Sequence, residues 1–191
     1  MTRRLRLIDR LTAGWGDCHR CPLHERRNSV VHWRGNPDAH LLLIGEAPGA
    51  DEDREGRPFV GRAGKLLDEL LAEAGMDPGE DIVITNTLSC RPPGNRTPQR
   101  EELKACRPRL EMFIRIVNPG AIVLLGATAA KLAGVHSVYS HRGSECEVEV
   151  GDLIIPAVPT FHPSFLLRTH DREHRSNVIN DLKLAGRLAD Q

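Results

Sequence analysis

The sequence carries no net charge: 26 basic residues balance 26 acidic ones. No whole-molecule field therefore points to a polyanionic partner, and any basic surface must be a local patch. Long apolar runs are missing as well. None approaches the ~20 residues that cross a bilayer. The charged start Met1-Thr2-Arg3-Arg4-Leu5-Arg6 has no apolar core behind it of the kind a secretory leader needs. The expectation is a soluble, cytoplasmic chain with no membrane partner. Lysine is scarce, 4 against 22 arginines. Arginine suits bidentate phosphate contacts, but the skew alone is read as coding bias. Internal repeats, low-complexity tracts and linkers are absent. A length of 191 residues suits one domain, 1–191, large enough to bury a core without disulfides. Disulfides do not suit an intracellular chain, so the five cysteines need another explanation.

What is present is an alternation of apolar strands and amphipathic helices. A short helix fits residues 4–14, with Leu5, Ile8 and Leu11 apolar. A basic, irregular stretch follows Cys18-His19-Arg20-Cys21-Pro22 and runs to Asp38. The first strand is about 40–45. A helix over about 62–75 sets Leu66, Leu67, Leu70, Leu71 and Ala74 on one face. The second strand is Asp81–Asn86. Thr97 and Pro98 suit the cap and first turn of a helix reaching Val117. The third strand is Ala121–Leu125, with a helix over about 127–134. Residues 138–150 are ambiguous and are read as a strand and a turn. The fourth strand runs from Leu153 to Val158, and a last helix covers about 174–189. Continuous apolar strands between helices indicate a parallel sheet covered on both faces. The expected fold is α/β, a three-layer αβα sandwich around a central, mainly parallel four-stranded sheet.

The first strand ends at Gly45 and opens into Glu46-Ala47-Pro48-Gly49-Ala50-Asp51-Glu52-Asp53-Arg54-Glu55-Gly56-Arg57-Pro58-Phe59-Val60-Gly61. The carboxyl ends of parallel strands are where α/β proteins bind ligands. Glycines let the backbone approach a ligand, Glu46 can act as a base or hold a water, and Phe59 can stack on a flat substrate. The polar ends of strands one, two and four are Glu46, Asn86 and His162. Parallel strands carry all three to one edge. Residues far apart in sequence thus meet in one pocket, and that convergence argues for an enzyme.

Cys18 and Cys21 form a C-x2-C pair, and Cys90 and Cys106 stand singly in a loop and near a helix start. Four such thiolates can hold a zinc ion or a [4Fe–4S] cluster, and spacing does not choose between them. The centre would tie the N-terminal segment to the segment after strand two, a structural role. Cys146 is read as a lone thiol.

These residues together carry a resemblance. Gly45-Glu46-Ala47-Pro48-Gly49 with Gly56-Arg57-Pro58-Phe59-Val60-Gly61 is similar to the first motif of the family 4 uracil-DNA glycosylases. Thr85-Asn86, Cys90-Arg91-Pro92-Pro93 and Asn95-Arg96 resemble the middle block, and His162-Pro163-Ser164 with Leu167-Arg168 the last motif. The resemblance runs from Cys18 to about Asp181. It implies a [4Fe–4S] cluster on Cys18, Cys21, Cys90 and Cys106, and uracil-containing DNA, double- or single-stranded, as substrate. It implies a base flipped out of the stack and an oxocarbenium-like sugar at the transition state. His162 would then donate a hydrogen bond to uracil O2, Asn86 would pair with N3 and O4, Phe59 would stack, and Glu46 would position water. Ala47 and Glu52 would line the base, Glu52 near its C5 edge. Pro163, Ser164 and Arg168 would meet DNA, and the chain would act as a monomer.

Two features depart from the family or bear on turnover. Ser89 stands where many members carry lysine. Ala47 stands where a covalently DNA-trapping group has glutamine, and the short segment Cys90–Pro98 lacks that group's basic loop, so turnover is expected. Arg91, Arg96 and Arg100 are candidates for a basic patch. The alternatives are a redox-sensing iron–sulfur protein and a catalytically silent lesion binder.

Overall fold

The computed structural model describes residues 2–191. Its centre is one six-stranded sheet in the order β1-β3-β2-β4-β6-β5. The strands are β1 (Trp33–Gly35), β2 (Leu41–Gly45), β3 (Ile82–Asn86), β4 (Ala121–Leu125), β5 (Cys146–Val150) and β6 (Leu153–Thr160). The inner four, β3-β2-β4-β6, pair in parallel and are the four expected strands. The two outer strands are antiparallel additions. The sheet is therefore mixed and six-stranded, which corrects the expectation of four. β1 is only three residues long and has no periodicity to read. β5, Cys-Glu-Val-Glu-Val, buries alternate residues as an edge strand does.

Period two divides each inner strand between two cores. Leu41, Leu43, Ile82, Ile84, Val123 and Val158 point to one side, against Leu67, Leu70, Leu71, Val178 and Leu182. Those residues come from α3 (Arg62–Glu73) and α8 (Arg172–Ala189). Leu42, Ile44, Val83, Ile122 and Leu124 point to the other side, against Ile8, Leu11, Leu110, Phe113 and Ile114. These belong to α1 (Arg3–Trp15) and α4 (Arg100–Val117). Helices thus cover both faces.

Smaller elements stand at the carboxyl edge. They are α2 (Ala50–Glu55), inside the stretch read as loop, α5 (Ala127–Ala130), α6 (Val138–His141) and α7 (Pro163–Thr169). α4 opens at Arg100 with Gln99 as cap, not at Thr97. The reason is Glu102, whose carboxylate accepts from the Gln99 amide at 2.7 Å and from both terminal nitrogens of Arg96. That capping-box carboxylate wins over the threonine. Among the described residues no helix is long and apolar enough to cross a membrane.

Candidate active site

The register sets the site. Gly45 is paired with Asn86, and Leu125 with Thr160, so the four inner strands end level with one another. Chain order reverses between β2 and β4, the place where an α/β sheet opens a crevice. A cleft of about 920 Å3 lies there, lined by Glu46, Ala47, Glu52, Phe59, Asn86, His162, Ser164 and Arg168 among others. The sequence-predicted residues therefore come together, with one exception. Pro163 is buried in the first turn of α7 and does not line the cleft.

Gly45 makes the floor. A methyl group there would lie 2.4 Å from Asn86 Oδ1 and 2.6 Å from the Phe59 ring, so only glycine lets those two side chains meet. Asn86 is 2 % exposed. Its Oδ1 is buried without a hydrogen-bond partner, a costly state for a polar atom unless something donates to it. The Phe59 and His162 rings stand 5.8 Å apart, tilted by 31°.

The tautomer of His162 follows from its partners. The Ser164 amide can only donate, and it lies 3.1 Å from Nδ1. Nδ1 is therefore the acceptor and the proton sits on Nε2. Burial, helped by the Arg168 charge, pushes the ring down to about 4, so it is neutral near pH 7. Gly126, at φ +85, lies against this ring: a side chain there would come within 2.9 Å of His162 Cβ.

Glu46 is held by a residue the motifs did not single out. Thr128, in α5 just beyond the end of β4, donates from Oγ1 to Glu46 Oε2 at 2.5 Å. The available signal was positional, since Gly126-Ala127-Thr128 follows strand three at the same edge as Glu46, Asn86 and His162. The Glu46 carbonyl accepts from Thr87 Oγ1 at 2.5 Å and Leu88 N at 3.1 Å, which locks the loop onto the end of β3.

Glu52 lines the cleft, but its carboxylate is occupied. It accepts from the amides of Gly49, Val60 and Gly61 at 3.0, 2.9 and 2.8 Å. Phe59, just before the last two, has a left-handed backbone at φ 55, a strained state for an aromatic residue. Glu52 holds that turn closed. Gly64 completes it, because a side chain there would overlap the Phe59 carbonyl at 1.9 Å.

Cys18, Cys21, Cys90 and Cys106 line one separate, small pocket together with Trp15, Arg27 and Ser89. Ser89 therefore belongs to the cysteine site and not to the cleft. Burial pushes the Cys90 thiol up to about 11 despite the nearby Arg27, with Cys106 and Cys21 adding to the rise. Arg27 Nη1 donates toward Cys90 Sγ at 3.6 Å, and Arg109 Nη2 toward Cys106 Sγ at 4.0 Å. Among the described residues no three His, Cys, Asp or Glu side chains are grouped to hold a single metal ion. Cys146 lies apart in β5 and donates to Ala157 O. Of the candidate basic patch, Arg96 is bound to Glu102 and Arg91 to Asn95.

A family model described as the uracil DNA glycosylase superfamily matches residues 32–183, from β1 to α8. The chain belongs to that superfamily. Its match to a type-4 uracil-DNA glycosylase of Thermotoga maritima is 47 % identical over 88 % of this chain and 87 % of the relative. A type-4 enzyme of Pyrobaculum aerophilum is 41 % identical over 80 % of both chains. A type-5 uracil-DNA glycosylase of Thermus thermophilus is 45 % identical, over 53 % of this chain.

Proposed function

We propose that this superfamily member is a monofunctional uracil-DNA glycosylase of base excision repair. It would act as one domain, 1–191, a monomer in the cytoplasm at the nucleoid, on double- or single-stranded DNA. The observation that carries the reading is the unpartnered, buried Oδ1 of Asn86 beside the Phe59 and His162 rings. Uracil offers an N3–H donor to that oxygen and an O4 acceptor to the amide nitrogen. Cytosine reverses the pattern at position 4 and leaves the amide mismatched. The full names of the type-4 relatives support the same substrate.

On this reading the flipped uracil stacks on Phe59. The bond between C1′ and N1 breaks with its electron pair going to the base. His162 Nε2–H donates to O2, where the negative charge gathers, an oxyanion-hole role that suits a neutral donor. The Glu46 carboxylate favours the sugar cation and holds a water. The water oxygen bonds to C1′, its proton passes to Glu46 and then neutralises the uracil anion, and an abasic site remains. Thr128 fixes the carboxylate for this step. Ser164 and Arg168 on α7 meet the phosphates. Glu52 shapes the wall near C5 through the turn it holds.

Cys18, Cys21, Cys90 and Cys106 would hold a [4Fe–4S] cluster. All four line one small pocket, as the ligands of a shared centre must. Two guanidinium donors aimed at sulfur suit the net negative charge of a thiolate-ligated cluster. When bound, the cluster supplies a cross-link between the N-terminal segment and α4, and the cleft residues perform the chemistry.

The decisive assay offers a labelled oligonucleotide with one U·G pair, beside U·A, single-stranded U and T·G, to the wild type and to His162→Ala. Abasic product from every uracil substrate, none from T·G and a drop of at least a hundredfold in the variant is expected. A folded, iron-loaded chain that yields no product from any of them would overturn the reading.

A further inference from the structure

Arg109 is 1 % exposed and takes part in none of the ion pairs among the described residues. Arginine stays protonated in proteins, and an uncompensated buried charge is strongly unfavourable. Of the other buried charges, Glu102 and Asp181 each take an arginine. Asp53 has no ion-pair partner either, but both its oxygens accept from Asn28 and Ser29. Arg109 has neutral acceptors only. Nη1 donates to Thr85 Oγ1 at 2.8 Å. Nη2 donates to the Asn86 carbonyl at 2.5 Å, and Thr87 O lies at 3.5 Å. Nε is buried without a partner. The remaining contact is Cys106 Sγ, 4.0 Å from Nη2 and one helical turn back on α4. Arg27, the other arginine at the centre, has Asp17 within 4.0 Å.

We infer that Arg109 is a positioning residue whose missing counter-charge is the thiolate-ligated centre, and that its fork fastens that centre to the Asn86 backbone in the base-reading cleft. The inference rests on the iron–sulfur reading above. One guanidinium spans both sites because the last residues of β3 lie between them. One end of its fork meets the sulfur of a cluster ligand, and the same nitrogen holds the carbonyl of the residue that reads the base. Loading of the centre thus sets how firmly residues 85–87 are held. Lysine in this place would keep the charge, but a single ammonium has no planar fork with which to hold Thr85, Asn86 and the sulfur together.

The test compares wild type, Arg109→Lys and Arg109→Met as isolated holoproteins. Iron and sulfide content of the wild type comes first, and a wild type without both would remove the iron–sulfur reading itself. Given a loaded wild type, two readouts follow. Arg109→Met is expected to move the midpoint potential of the cluster to a more negative value, because a positive charge beside it is gone, while Arg109→Lys stays near the wild type. Both variants are expected to exchange the amide hydrogens of residues 85–88 at least tenfold faster, with those of β4 unchanged. A wild-type potential in Arg109→Met, or wild-type exchange at residues 85–88 in both variants, would overturn the inference. Should Arg109→Met not fold, Arg109→Lys decides. Faster exchange at an unchanged potential supports the fork, and wild-type exchange overturns it.

Discussion

Asn86 and Gly45 face each other in register, and each explains the other. The amide is buried with one atom unsatisfied, and the glycine lets that atom and the Phe59 ring come together at the end of β2. Asn86→Ala should lower kcat/KM for uracil excision by about a hundredfold or more, since a site built around buried hydrogen-bonding groups depends on them heavily. The chain should stay folded, because the amide oxygen makes no protein bond that is lost. Steady-state excision beside a thermal melt checks both halves. A second expectation concerns His162. With Nδ1 accepting from Ser164, the ring should be neutral and protonated on Nε2 at pH 6. Imidazole 15N shifts read this directly, and a doubly protonated ring at that pH would contradict the assignment.

At the scale of elements, the cleft wall depends on the turn between α2 and α3. Glu52 joins the start of α2 to the start of α3 through three backbone amides. Glu52→Ala leaves all three amides without their acceptor, and the expected loss of stability is on the order of 2 kcal/mol, the usual size for bonds to a charged group. Urea unfolding measures it. The same variant separates two roles for the side chain. If Glu52 works only by holding the turn, uracil excision falls and thymine is still refused. If it also excludes the C5 methyl by contact, excision from T·G becomes measurable. Thr128→Val tests the other wall. It should reduce kcat with little change in KM, because the hydroxyl aligns Glu46 and touches no base in the proposed pose.

For the whole molecule, acid is the informative perturbation. His32 and His162 both have folded values near 4, lowered mainly by burial, with Arg109 and Arg27 contributing at His32. Unfolded, each returns to about 6.5. Between those values the unfolded chain takes up protons that the folded chain refuses, so stability is complete above about pH 6.5 and declines as the pH falls toward 4. The slope is on the order of 1.4 kcal/mol per pH unit for each histidine. Urea midpoints at pH 7 and pH 5 should show the decline. His162→Asn should make it shallower.

The sequence by itself determined the four inner strands, the helices over them and the alignment of Glu46, Asn86 and His162. Apolar runs buried on both faces and parallel pairing leave little choice about where strand ends go. Local pattern likewise carried the cysteine spacing and the glycine-rich loop. The outer strands were decided by pairing: Trp33–Gly35 becomes a strand only because β3 offers it an edge. The start of α4 was decided by a carboxylate reaching back to Gln99, and the seat of Glu46 by Thr128 arriving from the next strand. Glu52 reads in sequence as one acid among several, and only the closed turn shows its oxygens spent on backbone. Arg109 reads as one more polar position on an amphipathic helix. That it is buried without a carboxylate, between Asn86 and Cys106, is a property of packing α4 against β3. Periodicity and strand direction are local and survive in one dimension. Thr128 stands 82 residues from Glu46 and Arg109 stands 23 from Asn86, so only the folded chain selects those partners.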